Sequence, residues 1–307
     1  MEAGAHRLRG VRFELSPAGF QKLAIASAVS LYLIVVTGAL VRLTASGLGC
    51  NSWPGCEQGS FFPEQGYHGA IEFSNRAVAI FPIGLSAATA VAAWRRHDLP
   101  RWAAWLAVAV LAGTLAQAPL GLITIKTGLH PLMVATHFLL ALVVLAGAIV
   151  VALAPWRGTR DAALPPWVRW VGLGLTAAAL ALVMTGTVAT AAGPHPGDSS
   201  DVHRLWSLHS AVYVHVRATA IFGTTFLVIL GWLFSRREEQ PFLFRAALGL
   251  LGVLLAQMII GELQYRTHLP WGLVLVHVAL AGAVWAASVA FVTLLWRPRA
   301  GIGPVET

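Results

Sequence analysis

The sequence predicts an all-α membrane protein with eight transmembrane helices, arranged as two parallel-repeat four-helix bundles with both termini in the cytoplasm. Three observations predict this fold. Hydrophobic residues make up 57% of the chain and charged residues only 11%, which excludes an ordinary soluble globular protein. The chain contains eight long apolar stretches, and its two halves resemble each other.

Each apolar stretch is long enough to cross a bilayer, which takes roughly 20 helical residues. The first stretch follows a basic segment, but it is too long for the apolar core of a signal peptide, and we interpret it as a retained helix. The eight predicted spans are 20–43, 73–94, 102–125, 132–154, 168–190, 208–233, 244–265 and 271–295.

An internal repeat relates the two halves. Residues 67–81 align without gaps to residues 208–222, and further matches occur at an offset of 140. Because each half contains four spans, the halves have the same orientation and predict a parallel repeat. The matched pairs include His68 and His209, Arg76 and Arg217, Gln117 and Gln257, Gly121 and Gly261, and His137 and His277.

The repeat divides the chain into two predicted bundles. Residues 1–155 form the N-terminal four-helix bundle, and residues 168–307 form the C-terminal one. The connecting segment 156–167 is polar and rich in proline, as expected for a cytoplasmic linker.

The positive charge is concentrated on one side of the predicted membrane. Fifteen of the 21 lysines and arginines lie at the ends that we assign to the cytoplasm, and six lie on or near the other side. This asymmetry places both termini inside and the loops 44–71 and 191–207 outside. The net charge of +8 therefore reports topology and gives no indication of nucleic-acid binding. We expect a multi-pass protein in lipid, in the bacterial cytoplasmic (inner) membrane.

The two cysteines both lie in the first outer loop, in the segment CNSWPGC. Cys50 and Cys56 are separated by five residues on an oxidising face, so they can close a small disulfide ring. A pair of free thiols is the alternative, and the sequence leaves a redox role open.

Four polar residues lie at nearly the same depth, towards the outer third of the membrane. His137, His277 and Asn75 each lie 20 residues before a cytoplasmic arginine, and His215 lies 21 residues before one. Such residues inside a membrane usually face a partner, a cavity or a cofactor. Two histidines on facing helices can bind a haem iron from both sides. The sixth and eighth spans therefore predict a haem site, and the second and fourth spans face Asn75 towards His137.

Alternatives remain for the histidines. A single membrane histidine often makes only an interhelical hydrogen bond. His209 competes with His215 as the ligand on the sixth span, because His209 belongs to the repeat. It lies nearly two helical turns farther out, however, so we favour His215 on depth.

Glu72 lies at the outer end of the second span, three residues before Asn75 and on the same helical face. A carboxylate beside a membrane cofactor can accept a proton, whereas a plain interfacial glutamate is the alternative. Arg76 and Arg217 lie just inside the outer boundary, where they can pair with a cofactor carboxylate or extend towards lipid head groups.

Glu262 and Arg266 are one helical turn apart near the outer end of the seventh span, and we expect a local ion pair.

Four segments together resemble the haem A synthase family, the Cox15-type proteins. The resemblance extends through nearly the whole chain, and IEFSNR is similar to the family's Glu-x-x-His-Arg motif. The segments are VTGALVRLTASGLGCNSWPGC at 36–56, IEFSNR at 71–76, ATHFLLAL at 135–142 and TGTVATAAGPHPGD at 185–198.

This resemblance implies that the C8 methyl group of haem O is oxidised to the formyl group of haem A by successive hydroxylation. It implies a haem b in the second half, ligated by His215 and His277. The first half would be the substrate pocket, with His137 as the matching ligand, Glu72 as the acidic residue and Arg76 as the motif arginine. A haem O synthase as donor and a terminal oxidase as recipient are further expectations of the resemblance. The electron acceptor is left open, and so is a homo-oligomer.

Two positions depart from the family pattern. Asn75 occupies the place of the first-half histidine, so either His68, two turns farther out on the same face, replaces that ligand or the substrate haem is five-coordinate. In the second half, His215 lies one residue farther from Arg217 than the motif expects. The second outer loop also lacks the cysteine pair of some relatives, so only one disulfide is expected.

Two other classes of function compete with this interpretation. A two-haem membrane cytochrome that transfers electrons without changing its haems also needs paired histidines. A transporter also uses parallel repeats and polar residues at mid-depth, but the predicted spans lack a matched pair of proline- or glycine-broken helices.

Overall fold

The computed structural model describes residues 15–64, 66–155, 163–198 and 206–296. Within these residues the fold is all-helical and contains no β-strand. Eight helical segments are long and apolar enough to cross a membrane. The helices in the described part of the chain are α1 (Pro17–Leu43), α2 (Tyr67–Val78), α3 (Ile80–Arg95), α4 (Arg101–Lys126), α5 (Pro131–Ala152), α6 (Pro166–Ala192), α7 (Leu208–Ser235), α8 (Pro241–Arg266) and α9 (Trp271–Leu295).

The second span differs most from its predicted bounds. It begins at Tyr67 rather than at residue 73, because polar residues in its first turns hide the helix from the hydropathy pattern. It is also interrupted at Ala79, between α2 and α3. The interruption lies one turn before Pro82, which has no N–H to donate to the carbonyl of Val78. The repeat places Gly223 opposite Pro82, and α7 is continuous.

Two turns at the outer end repeat the same backbone geometry. Gly128 and Leu129, between α4 and α5, have φ values of 61° and 57°. His268 and Leu269, between α8 and α9, have φ values of 65° and 61°. These values lie in the left-handed region, which glycine adopts without steric cost. The turn therefore keeps its shape in the second half although the sequence offers no glycine there.

The helices of each half form a ring of four neighbours. In the N-terminal half, α1 packs against α3, α3 against α4, α4 against α5, and α5 against α1. In the C-terminal half, α6, α7, α8 and α9 follow the same order. Within the described residues, the backbones of the diagonal helices α3 and α5 make no close approach, and neither do those of α7 and α9. Side chains bridge the second pair, since the rings of Phe226 and Phe291 pack edge to face with their centres 6.4 Å apart.

The two halves meet through α1, α5, α6 and α9. Hydrogen bonds cross this boundary at buried or half-buried positions. Tyr32 Oη donates to the carbonyl of Ala279 at 2.9 Å, and Trp285 Nε1 donates to the carbonyl of Leu142 at 2.8 Å. One apolar core, which includes Leu145, extends through both halves, and another surrounds Phe20 in the N-terminal half.

Tryptophans form stacked pairs at the predicted cytoplasmic end of the helices. Their rings lie at the ends of α3, α7 and α9 and at the beginnings of α4 and α6, so they share one level. Aromatic belts of this kind mark the interface between lipid and water. The pairs are Trp94 with Trp105, Trp167 with Trp232, and Trp170 with Trp296.

Residues 156–162 of the predicted linker lie outside the described residues. So do Arg157 and Arg297, the predicted cytoplasmic arginines that lie 20 residues after His137 and His277. The local ion pair predicted on the seventh span is confirmed, since Arg266 Nε and Glu262 Oε1 lie 2.5 Å apart.

Candidate functional site

A cavity of about 570 Å³ lies in the N-terminal bundle. Its wall is mainly apolar, and residues of the first outer loop, including Trp53 and Phe61, also line it. Thr187, Thr190 and Ala191 of α6 and Val274 and Val278 of α9 also line it, so the C-terminal half contributes directly to this cavity. The larger polar side chains on the wall are Arg42, Glu72, Asn75, Arg76, Gln117 and His137.

Glu72 and Arg76 hold the first outer loop against α2. Glu72 is only 5% exposed, and its Oε2 accepts a hydrogen bond from the backbone N–H of Cys50 at 2.9 Å. Its Oε1 lies 2.5 Å from Nη2 of Arg76. Arg76 Nη1 donates to the carbonyls of Ser52 at 2.9 Å and Gly55 at 2.5 Å. The pair therefore fastens the loop at the wall of the cavity.

The same loop carries a disulfide between Cys50 and Cys56. Both cysteines are buried against α2, where their sulfur atoms approach the carbonyl of Gly69. The structure places the pair as predicted.

Asn75 and His215 occupy equivalent environments in the two halves. Thr37 Oγ1 donates to Asn75 Oδ1 at 2.7 Å, and Thr185 Oγ1 lies 3.2 Å from His215 Nδ1. Each threonine belongs to a Thr-Gly pair, on α1 or on α6. These contacts agree with the depth count, which also matches Asn75 with His215.

His215 and His277 face each other across the C-terminal bundle. Their imidazoles are close enough to interact electrostatically, although α7 and α9 make no backbone approach. A Cβ on Gly186 would lie 3.0 Å from His215 Cε1, and a Cβ on Gly261 would lie 2.9 Å from His277 Cε1. Glycine therefore gives both rings room: a Cβ at Gly261 would push the imidazole of His277 aside, and one at Gly186 would press on that of His215.

The hydrogen bonds of His277 leave one ring nitrogen for a ligand. Gln257 Nε2 lies 3.2 Å from Nε2 of His277, while Nδ1 is buried and has no hydrogen-bond partner among the described residues. Nε2 is therefore held by the Gln257 amide, and Nδ1 is the ring nitrogen that remains for a ligand. With the facing His215, this donor set fits a haem iron ligated on both sides.

His137 provides the corresponding imidazole of the N-terminal half. It lines the cavity, and its Nδ1 is buried without a hydrogen-bond partner in the described part of the chain. A Cβ on Gly121 would lie 3.5 Å from its Cε1, which is an ordinary van der Waals contact. The residue opposite it is Asn75, so this half presents one imidazole and one amide.

Three predicted site residues are not brought to these sites. His68 is exposed, and its Nδ1 lies 2.9 Å from Ser46 Oγ. His209 is exposed in the first turn of α7. The guanidinium of Arg217 lies 3.1 Å from the centre of the Tyr213 ring. The geometry therefore favours His215 over His209.

The sequence does not predict every residue of the two sites. Thr37, Thr185 and Gly186 contact the polar residues of the second and sixth spans, but the sequence assigns them no role beyond the segments that carry the family resemblance. Gln117 and Gly121 belong to the matched pairs of the repeat, which is the signal that could have assigned them to the site.

An eight-span membrane protein with an intramembrane cavity and a facing pair of histidines defines a narrow class of proteins. Residues 21–68 and 60–289 match the COX15-CtaA family, described as cytochrome oxidase assembly protein. The chain belongs to this family.

Curated relatives are similar to parts of the chain. Heme A synthase from Bacillus pumilus is 33% identical over 141 residues, which is 45% of this chain and 46% of the relative. Heme A synthase from Bacillus licheniformis is 33% identical over 132 residues, 43% of each chain. The Lysinibacillus sphaericus protein of the same name is 30% identical over 173 residues, 54% of this chain and 56% of the relative. The matches thus span about half the length of these relatives.

Proposed function

We propose that the protein is a haem A synthase, a membrane oxidoreductase that oxidises the C8 methyl group of haem O to the formyl group of haem A. The cavity of the N-terminal bundle carries this proposal, because it combines an imidazole and a buried carboxylate with a wall to which α6 and α9 of the C-terminal half also contribute. The names of the relatives support the same activity.

The reaction consists of two hydroxylations followed by a dehydration. In the first hydroxylation, the methyl group and one water molecule together lose two electrons and two protons and give a hydroxymethyl group. A second oxidation of the same stoichiometry gives a geminal diol. The diol loses one water molecule to form the formyl group. An external electron acceptor takes up the four electrons.

Each polar residue of the cavity has a separate role in the proposed reaction. His137 is placed to hold the substrate iron on one side, with Asn75 rather than a second imidazole opposite it. Glu72 is placed to accept protons as water attacks the methyl carbon. Arg76 orients Glu72 and fixes the outer loop, which limits access of bulk water to the cavity.

Haem b fits the C-terminal half, where His215 and His277 would hold it; when bound, it supplies a one-electron relay. Gln257 and Thr185 orient the two imidazoles, and Gly186 and Gly261 give them room. His277 and the cavity residues Val274 and Val278 lie on the same helix, which supports electron transfer from the cavity into the C-terminal half.

The difference between the halves favours an enzyme over a two-haem electron-transfer cytochrome. Only the C-terminal half presents two facing histidines. Asn75 replaces the second histidine in the N-terminal half, so the iron there would be held from one side. This asymmetry suits a haem that enters and leaves as substrate and product.

The finer features of the architecture belong to the same proposal. The halves form a parallel repeat of two four-helix bundles, 1–155 for substrate and 168–307 for haem b, joined by the linker 156–167. Both termini are cytoplasmic, and the sites lie towards the outer face of the bacterial inner membrane. The matching rings of helices and the repeated turns support this arrangement. A haem O synthase as donor and a terminal oxidase as recipient complete the proposal.

Extraction of the haems after expression with a supply of haem O tests the function. We expect haem b together with a formyl-bearing haem A. Recovery of unmodified haem O and haem b alone would favour the two-haem cytochrome. A colourless preparation from cells rich in haem would exclude both.

A further inference from the structure

Gln117 is a polar residue of the cavity wall that has no role in the proposed reaction. It lies on α4, one turn before Gly121, whose position faces His137. Its side chain lines the cavity. Both amide atoms, Oε1 and Nε2, are buried and have no hydrogen-bond partner among the described residues. A buried polar group without a partner is destabilising unless a ligand or another group satisfies it.

The repeat provides an internal comparison. Gln257 lies at the equivalent position of α8, one turn before Gly261, and its amide contacts the imidazole of His277 at 3.2 Å. Gln117 makes no such contact with His137, whose Nδ1 is also without a partner in the described part of the chain. The two glutamines therefore have the same position but different surroundings.

The other polar side chains of the wall already bind protein groups. Asn75 is held by Thr37, Glu72 by Cys50 and Arg76, and Arg42 donates to the carbonyl of Thr190 at 2.7 Å. Gln117 differs from these residues because its donor and its acceptor both lack a partner among the described residues, and an amide can donate to one oxygen and accept from another.

We infer that Gln117 is a specificity-determining residue that hydrogen-bonds the oxygen introduced at the oxidised carbon of the substrate. This inference rests on the proposed function. The starting methyl group is apolar, whereas the hydroxymethyl and formyl groups carry oxygen into a mainly apolar cavity. A change of rotamer brings the Gln117 amide to that oxygen. The residue then retains the half-oxidised haem until the second oxidation.

The inference predicts a preference among bound haems. A net hydrogen bond contributes about 1 kcal/mol, so the wild-type cavity should bind a formyl haem about 5-fold more tightly than its methyl counterpart. Gln117→Met has a similar length but no amide, and it should remove this preference. It should also release hydroxymethyl haem as a side product.

The test combines absorbance titrations with resonance Raman spectra of protein that contains haem b. In the wild type, the formyl C=O stretch of the bound product should lie below that of the free haem, because the carbonyl accepts a hydrogen bond. Gln117→Met should return the frequency to the free value. The matched control Gln257→Met should alter the haem b spectrum and leave the formyl frequency unchanged.

An unchanged preference and an unchanged formyl frequency in Gln117→Met would overturn the inference. A change confined to the iron–histidine vibration would also overturn it, because Gln117 would then orient His137. The haem b spectrum reports correct folding, and Gln117→Leu replaces the methionine variant if that spectrum is lost. Absence of any formyl haem from the wild type would instead refute the proposed function.

Discussion

At the scale of single residues, glycines on neighbouring helices control the space beside the histidine side chains. The imidazoles of His215 and His277 lie against glycines on neighbouring helices, with no room for a Cβ. Gly121 has more space beside His137. The repeat identified Gly261, but the need for it could not be predicted, because a close approach between two helices depends on their packing rather than on local sequence.

Gly261→Ala should displace His277 and reduce occupancy of the C-terminal haem site about 10-fold, since overpacking costs about 1–3 kcal/mol. The absorbance of purified protein, normalised to protein concentration, measures the occupancy. Gly252→Ala is the matched control on α8, because a Cβ at that position meets nothing within 4 Å. Equal loss of haem from both variants would contradict the steric explanation.

Glu72 has two separable roles, as a proton acceptor and as the anchor of the outer loop. Glu72→Ala should reduce formation of formyl haem by at least about 100-fold, with haem b retained. Glu72→Gln keeps an oxygen for the N–H of Cys50 but removes the charge, and we expect the same loss. Wild-type turnover in the alanine variant would remove Glu72 from the mechanism, and turnover only in the glutamine variant would leave it an anchor. Haem analysis of membranes provides the measurement.

At the scale of helices, the apolar pattern predicted the existence of all eight spans but not every boundary. The beginning at Tyr67 and the interruption at Ala79 depend on polar first turns and on Pro82, which a hydropathy average does not detect. Depth alone predicts that His215 and His277 lie at one level, but it does not say which way their side chains point. Contacts such as Thr37 with Asn75 depend on helix rotation, which hydropathy leaves undefined.

The turn between α4 and α5 gives a prediction for helix connections. Gly128→Ala should destabilise the protein by about 1 kcal/mol, because a Cβ is strained at φ 61°. Thermal unfolding in detergent measures the effect. Gly84→Ala is the control: it lies within α3 and its Cβ would meet nothing within 4 Å, so it should be neutral or stabilising. Equal destabilisation by both variants would contradict the conformational argument.

At the scale of the whole molecule, the charge asymmetry predicts one orientation in the membrane. Glu64 is exposed in the first outer loop, and Glu238 is exposed between α7 and α8. An impermeant maleimide should label Glu64→Cys in intact spheroplasts and label Glu238→Cys only after lysis. Cys50 and Cys56 do not interfere, because they are disulfide-bonded. The opposite labelling pattern would show that the predicted orientation is wrong.

Helix α9 takes part in both halves of the molecule. Val274 and Val278 line the cavity of the N-terminal bundle, and His277, one turn after Val274, lies within electrostatic reach of His215 on α7. In the proposed function, one rigid helix therefore contacts both haems, and its packing fixes their separation. Electron tunnelling should consequently persist in a frozen glass, where domain motions have stopped.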